Sequence, residues 1–118
     1  MPALNISVRV SGDPTSVRMT GPWWSWDTVG GPVASDNGDG TWSVTLNPIP
    51  TENMKYLWVV DGDQESLLDI IANNECGIEI DEGRIIHGYG WANRKWTSGS
   101  GDITDDIYEK CGAMCFLG

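Results

Sequence analysis

Basic residues are scarce in this sequence. Lysine and arginine together number 7 in 118 residues, against 17 acidic residues, which gives a net charge of −10. Nucleic acids and anionic membrane surfaces are bound by clustered basic side chains, so this balance predicts neither as a partner. It also disfavours acidic polysaccharides, because the few cations must first offset the many carboxylates. A neutral ligand is the expected partner.

Long apolar runs are absent as well. No stretch approaches the roughly 18 residues that cross a membrane as a helix. The first residues hold no basic segment followed by an apolar one, so the sequence predicts no signal peptide. Met1 stands directly before Pro2, and we expect residues 1–118 to be one domain excised from a larger protein. This length suffices for a hydrophobic core.

Histidine and cysteine, the usual zinc ligands, are too few and too scattered to predict a zinc site. His87 is the single histidine and there are three cysteines, without the paired short spacings of a zinc centre. The acidic turn 61–63 suggests calcium, but counting from Asp61 puts Ser66 where the EF-hand loop needs glycine and Ala72 where it needs glutamate. We therefore predict no metal and no cofactor.

The three cysteines all lie from residue 76 onward. We predict one disulfide that joins Cys76 to either Cys111 or Cys115 and leaves the other cysteine unassigned. Closing a loop of some 35 residues would add about 3–4 kcal/mol by the chain-entropy estimate. A structural disulfide persists in an oxidising compartment, so this prediction implies an extracellular protein.

A catalytic site is not predicted. The abundant acidic residues make a glycosidase-type pair of carboxylates conceivable. They fall in turns or in the tail 102–110, however, where we expect a solvated charged face. His87 has no identifiable nucleophile near it in the sequence pattern.

Tryptophan, in contrast, is abundant: 7 residues against a single phenylalanine. Trp23, Trp24 and Trp26 fall in segment 21–32, which has Gly-Pro at one end and Gly-Gly-Pro at the other. Glycine and proline on both sides predict an irregular surface loop. The indoles then either cover the core as a lid or form a flat binding surface. An electron-rich indole face suits the C–H face of a pyranose ring.

Alternating apolar residues predict short strands separated by turns. Strands are expected over 5–10, 16–20, 41–46, 54–60, 77–80 and 84–87, with a hairpin turn over 34–40 and a turn over 61–63. Trp42 and Trp58 are core residues by this period, and strand 54–60 is expected to be buried on both faces. Residues 64–74 are the only stretch with a helical pattern. These features predict an all-β fold with at most one short helix.

A second aromatic cluster occupies the glycine-rich segment 88–96. This segment, the tryptophan loop and the acidic turn together supply the candidate ligand contacts. Their rings can stack on a sugar, and their polar groups can form hydrogen bonds to sugar hydroxyls. The candidates are Trp23, Trp24, Trp26, Trp91, Trp96, Asn93, Arg94, Asp61 and Asp63.

The first half of the chain resembles the starch- and glycogen-binding modules. The segment Asp36 to Leu46 contains the hairpin motif Asn-Gly-Asp-Gly-Thr-Trp of those families, and Lys55 to Gly62 is similar to their Tyr-x-Phe-x-Val-Asp-Gly strand. Segment 17–21, followed by Trp24 or Trp26, is similar to the preceding strand. The resemblance covers roughly residues 5–63 and implies an immunoglobulin-like β-sandwich. The remainder looks more like a module appended to secreted polysaccharide-degrading enzymes.

The resemblance and the charge together predict non-catalytic binding of a neutral polysaccharide, a glucan by preference, through tryptophans that stack on pyranose rings. An attached glycoside hydrolase is then the expected neighbour in the parent protein. The alternative is a protein-interaction module that uses the same tryptophan loops, because a sandwich fold hosts many functions.

Overall fold

The computed structural model describes residues 3–65, 67, 85–88 and 91–108. These residues form strands, with one 3₁₀ turn at Pro22–Trp24, and the predicted all-β fold is confirmed at this level. No helix among them is long and apolar enough to span a bilayer. The predicted disulfide partners Cys76, Cys111 and Cys115 and the predicted strand 77–80 lie outside the described residues.

The described strands number nine. They are β1 (Leu4–Arg9), β2 (Val17–Thr20), β3 (Ser35–Asp36), β4 (Thr41–Leu46), β5 (Met54–Val60), β6 (Asp63–Gln64), β7 (Ile85–Gly88), β8 (Trp91–Trp96) and β9 (Ile103–Ile107).

The strands form two sheets. One has the order β3-β4-β1-β9, and the other has β2-β5-β8-β7 with β6 paired to β5. Within the first sheet β1 runs antiparallel to β4 and parallel to β9. All described pairs in the second sheet are antiparallel. The two edge strands of each sheet therefore come from distant parts of the chain, β3 and β9 in the first sheet and β2 and β7 in the second.

The core lies where the two sheets contribute alternate side chains. Ile6 and Val8 of β1 are buried, as are Val17 and Met19 of β2, which confirms the predicted inward faces of both strands. These residues join Val44 and Trp58 in one apolar cluster. Burying such side chains contributes about 1.5–3 kcal/mol each. The period-2 pattern thus identified the main core strands.

Strand β5 is buried on both faces, as its sequence predicts. Tyr56 and Trp58 point to one side, Leu57 and Val59 to the other, and all four are buried. Trp58 is confirmed as a core residue. Trp42 is half-buried and packs against the core. The prediction that it is a core residue is therefore correct for only part of its side chain.

The acidic turn after β5 closes a tight hairpin. Asp61 and Gly62 have φ values of 50° and 88°, and Val60 pairs with Asp63 across them. Two central residues with positive φ match the right-handed twist of the flanking strands. The predicted turn is confirmed. The helical pattern predicted over residues 64–74 is wrong at its first residue, because Gln64 belongs to β6 and pairs with Val59. Residues 66 and 68–74 lie outside the described part of the chain.

A buried ion pair joins β8 to the residue after β6. Arg94 Nε lies 2.7 Å from Glu65 Oε2, and Arg94 Nη2 donates to Glu65 Oε1 at 2.8 Å. Both residues are at most 2% exposed. This two-pronged geometry is the strongest form of arginine–carboxylate contact. The prediction of Arg94 as a ligand contact is wrong, because its guanidinium is buried and fully engaged inside the protein.

The network continues into β9 through a second carboxylate. Asp106 Oδ2 accepts hydrogen bonds from the Tyr56 hydroxyl at 2.7 Å and from Trp58 Nε1 at 2.9 Å. Its Oδ1 lies 3.4 Å from Arg94 Nη1. The tail was expected to be a solvated charged face, and this is wrong for Asp106, which is 2% exposed. Neutral donors and one guanidinium together replace the water that burial removes.

Two opposing effects act on the pKa of Arg94. Burial lowers it, since the charged form loses hydration, but the carboxylates of Glu65 and Asp106 outweigh this and raise the pKa above its ordinary value. Because the pKa of Arg94 is higher in the folded protein than in the unfolded chain, its positive charge contributes fully to stability at any pH below the ordinary arginine pKa. This contribution is lost only when the pH rises through the higher pKa of the folded state. Arg94 therefore stays a cation at every pH where proteins are usually studied.

Replacing Arg94 with methionine leaves Glu65 and Asp106 buried without their cation. We expect Arg94→Met to lower the free energy of unfolding by about 3–5 kcal/mol, measured by urea denaturation. The matched control is Arg9→Met, which removes the same charge from an exposed side chain and should change stability by no more than about 0.5 kcal/mol. Equal effects of the two substitutions would contradict this account of the network.

Candidate functional site

The tryptophan loop joins β2 to β3 and is held by its own backbone. The Gly21 carbonyl accepts hydrogen bonds from the N–H groups of Trp24 at 3.0 Å and Trp26 at 2.9 Å. Ser25 and Trp26 have φ values of 56° and 55°, a left-handed conformation that few non-glycine residues adopt. The loop is thus a defined turn rather than a loose connection, and its predicted irregular conformation is confirmed.

Side chains of β2 fix the second half of the loop. Thr20, fully buried, donates from Oγ1 to the Asp27 carbonyl at 2.8 Å. Arg18 Nη1 donates to the carbonyls of Val29 at 2.9 Å and Gly31 at 3.3 Å. These bonds satisfy loop carbonyls that regular structure would otherwise pair. The strand therefore positions the loop that follows it.

Glycine is required where the loop passes closest to the sheet. A Cβ on Gly31 would overlap the Met19 carbonyl oxygen, and one on Gly21 would overlap the Lys55 carbonyl oxygen. Met19 also donates its N–H to the Pro32 carbonyl at 3.0 Å. The glycines that bracket the tryptophans in the sequence thus allow the loop to lie directly against the backbone of β2 and β5.

The three indoles of the loop have different environments. Trp24 is half-buried and packs against the core, so it acts as the lid. Trp23 is 47% exposed and contacts Trp24 edge-on, with ring centroids 6.0 Å apart and planes at 64°. Trp26 is half-buried. Because the planes of Trp23 and Trp24 are 64° apart, these two rings do not form one flat surface. Of the two alternatives, Trp24 follows the lid, and Trp23 is the indole that the loop displays.

Trp23 faces a surface cavity of about 370 Å³, within the roughly 300–1,000 Å³ range of small-ligand sites. We call it the Trp23 cavity, and its lining residues are Trp23, Leu46, Asn47, Pro48, Pro50, Thr51 and Glu52. All but Trp23 lie at the end of β4 or in the connection from β4 to β5. The cavity thus forms where that connection meets the tryptophan loop.

The Trp23 cavity combines an apolar wall with a few polar groups. Leu46, Pro48 and Pro50 are apolar, Asn47 and Thr51 supply hydrogen-bond donors and acceptors, and Glu52 is the only ionisable residue among those that line it. The Asn47–Pro48 peptide bond is cis. Sequence reasoning missed this half of the site because residues 47–53 fall between two predicted strands and contain no aromatic residue.

Trp96 and Asn93, two other predicted contacts that the structure describes, do not line this cavity. Trp96 is 1% exposed and donates from Nε1 to the Gly101 carbonyl at 2.8 Å. Its predicted ligand contact is wrong, because a buried ring offers no face to a sugar. Asn93 is half-buried in β8 and does not line the cavity. The side chain of Trp91 lies outside the described part of the chain.

The acidic turn has an internal function. Asp61 Oδ1 accepts hydrogen bonds from the N–H groups of Thr15 at 2.7 Å and Ser16 at 2.9 Å, so it anchors the connection from β1 to β2. Asp63 is exposed, and its carbonyl accepts a hydrogen bond from the Tyr108 hydroxyl at 2.7 Å. Neither residue lines the Trp23 cavity. Among the described residues, no three histidine, cysteine, aspartate or glutamate side chains cluster as metal ligands.

No protein-family model matches the chain, and no curated protein matches it significantly.

Adding a methyl group at Gly31 tests how the loop is seated. Gly31→Ala forces the loop away from the Met19 carbonyl, and we expect a loss of about 1–3 kcal/mol in stability with a changed near-ultraviolet circular dichroism from the displaced indoles. Gly30→Ala is the control, because its Cβ would come no closer than 3.1 Å to Asp27, a contact that a shift of a few tenths of an ångström relieves, whereas the Cβ on Gly31 would overlap backbone. Unchanged spectra and stability for Gly31→Ala would contradict the described packing.

Proposed function

We propose that this chain binds a neutral polysaccharide, preferably a glucan, without catalysing a reaction on it. The observation that carries the proposal is the displayed indole of Trp23 on the wall of a cavity that also contains amide and hydroxyl groups. In the parent protein the domain would bring an attached glycoside hydrolase to its substrate. The proposal includes an extracellular setting and an immunoglobulin-like sandwich.

The chemistry of a pyranose ring matches this wall. One face of the sugar carries C–H groups that stack on an indole, and its hydroxyls both donate and accept hydrogen bonds. Trp23 provides the stacking face, while Asn47 and Thr51 provide polar partners at the same cavity. Trp24 contacts the Trp23 ring edge-on, and this contact reduces the ordering that the Trp23 side chain must undergo when a ligand binds, which favours affinity.

Charge favours a neutral sugar over an acidic one. Glu52 lies in the cavity wall, and the protein carries a net charge of −10. A uronic acid carboxylate placed beside Glu52 would be repelled, most strongly at low ionic strength. The resemblance of residues 5–63 to starch- and glycogen-binding modules supports a glucan within the neutral class.

Affinity electrophoresis tests the proposal directly. The protein is run through native gels that contain glycogen, β-1,3-glucan, mixed-linkage glucan, xyloglucan or alginate. We expect retardation by at least one neutral glucan and none by alginate. Trp23→Ala should weaken retardation at least about tenfold, as expected for loss of a central aromatic anchor.

Trp26→Ala is the matched control, since it removes an indole from the same loop that does not line the cavity. It should retain binding if the variant remains folded by circular dichroism. Loss of binding in Trp26→Ala alone would place the site elsewhere. Failure of every glycan to retard the folded wild-type protein would reject the proposal, and a stable protein complex formed through Trp23 would favour the interaction-module alternative.

A further inference from the structure

A second cavity of about 210 Å³ lies at the other end of β4. We call it the Trp42 cavity, and its lining residues are Gly12, Asp13, Pro14, Asp36, Gly38, Gly40 and Trp42. These residues come from the connection between β1 and β2 and from the hairpin between β3 and β4. The volume is several times the roughly 30 Å³ that one liquid water molecule occupies, so the space suits a small organic group.

The strand register places a carboxylate beside the indole. Asp36 and Trp42 are directly paired across β3 and β4. Residues opposite each other in an antiparallel pair project on the same face, with Cβ atoms about 4.5–5.5 Å apart. Asp36 Oδ1 also accepts the Gly38 N–H at 2.8 Å, which holds the side chain in place. Asp13 reaches the same cavity from a different loop.

The electrostatic environment of this cavity is negative. Two aspartates line it and no basic residue does. Arg9 does not line the cavity, but its Nη1 lies beside Gly40 and 3.5 Å from the Asp39 carbonyl oxygen, so this one cation offsets part of the surrounding negative charge. Hydrogen bonds from the Thr41 hydroxyl and N–H hold the pKa of the Asp39 carboxyl below its usual value, so this neighbour also remains an anion at neutral pH.

We propose that the Trp42 cavity binds a small organic ammonium ion, with the indole of Trp42 against its alkyl groups and the carboxylates of Asp13 and Asp36 around its charge. An indole attracts a cation through the negative potential of its ring face, and adjacent carboxylates add to that attraction. The net negative charge of the chain concentrates cations near the site. This site is independent of the glycan proposed for the Trp23 cavity.

The composition of the wall separates this ligand from the alternatives. A calcium ion is bound by oxygen ligands alone, so it would use the two carboxylates and the backbone of Pro14 and the three glycines but would leave the Trp42 ring without a partner. An anion would meet two aspartates and no lining cation. A cation that also has apolar surface uses both the ring and the carboxylates.

Choline is the probe. Its neutral control is 3,3-dimethyl-1-butanol, in which a tert-butyl group of the same shape replaces the trimethylammonium group. Each is titrated into ¹⁵N-labelled protein while the indole N–H signal of Trp42, assigned with Trp42→Phe, is followed. We expect saturable shifts of Trp42 with choline, weakened by added salt, and none with the alcohol.

Asp13→Asn and Asp36→Asn should each weaken choline binding by about fivefold, as loss of one nearby charge implies. Asp102→Asn is the matched control, an exposed aspartate outside the cavity, and should change it less than about twofold. Equal shifts with the alcohol, an identical response to calcium alone, or the absence of a Trp42 shift with choline would each overturn the proposal. A Trp42 shift produced by maltoheptaose but not by choline would assign the cavity to a sugar instead.

Discussion

The arrangement of the two sheets depends on the buried contact between Arg94 and its two carboxylates. Arg94 lies in β8 of one sheet and Asp106 in β9 of the other, while Glu65 follows the short strand β6. Each charged group would be costly to bury alone. Together with the Tyr56 hydroxyl and the Trp58 indole they satisfy one another in the core. The network thus ties β8 and β9, which lie in different sheets, to Tyr56 and Trp58 of the central strand β5.

With the sheets fixed, the loops at their ends acquire defined positions. β4 belongs to one sheet and β5 to the other, so the connection 47–53 crosses from sheet to sheet and meets the tryptophan loop that leaves β2. The Trp23 cavity forms at that junction. At the opposite end of β4 the hairpin approaches the loop between β1 and β2 and forms the Trp42 cavity. The two ends of a single strand therefore carry different chemistry. At one end an indole stands beside apolar residues, an amide, a hydroxyl and one carboxylate, and at the other an indole stands beside two carboxylates.

Sequence pattern predicted the parts of the fold that local chemistry determines. Strands β1, β2, β4 and β5 alternate in period 2 or are continuously apolar, and the tight turn at Asp61-Gly62 uses residues that tolerate positive φ. Strands β8 and β9 were missed because Arg94 and Asp106 stand at core positions, and only tertiary pairing makes a charge acceptable there. Glycine and proline indicated the tryptophan loop, but not which indole it displays, since that depends on Trp24 packing against the core. Segment 47–50 was missed as a site because its walls matter only once folding brings Trp23 beside it.

The central claim is that a neutral glycan binds at the Trp23 cavity, and chemical-shift mapping tests it most directly. ¹⁵N-labelled protein is titrated with a soluble oligosaccharide of whichever glucan retards it in gels. The account predicts saturable shifts of the Trp23 indole N–H, the Asn47 side-chain amide and the backbone amides of Thr51 and Glu52, with the buried indoles of Trp58 and Trp96 unmoved. Shifts that avoid Trp23 and cluster on another surface would contradict it.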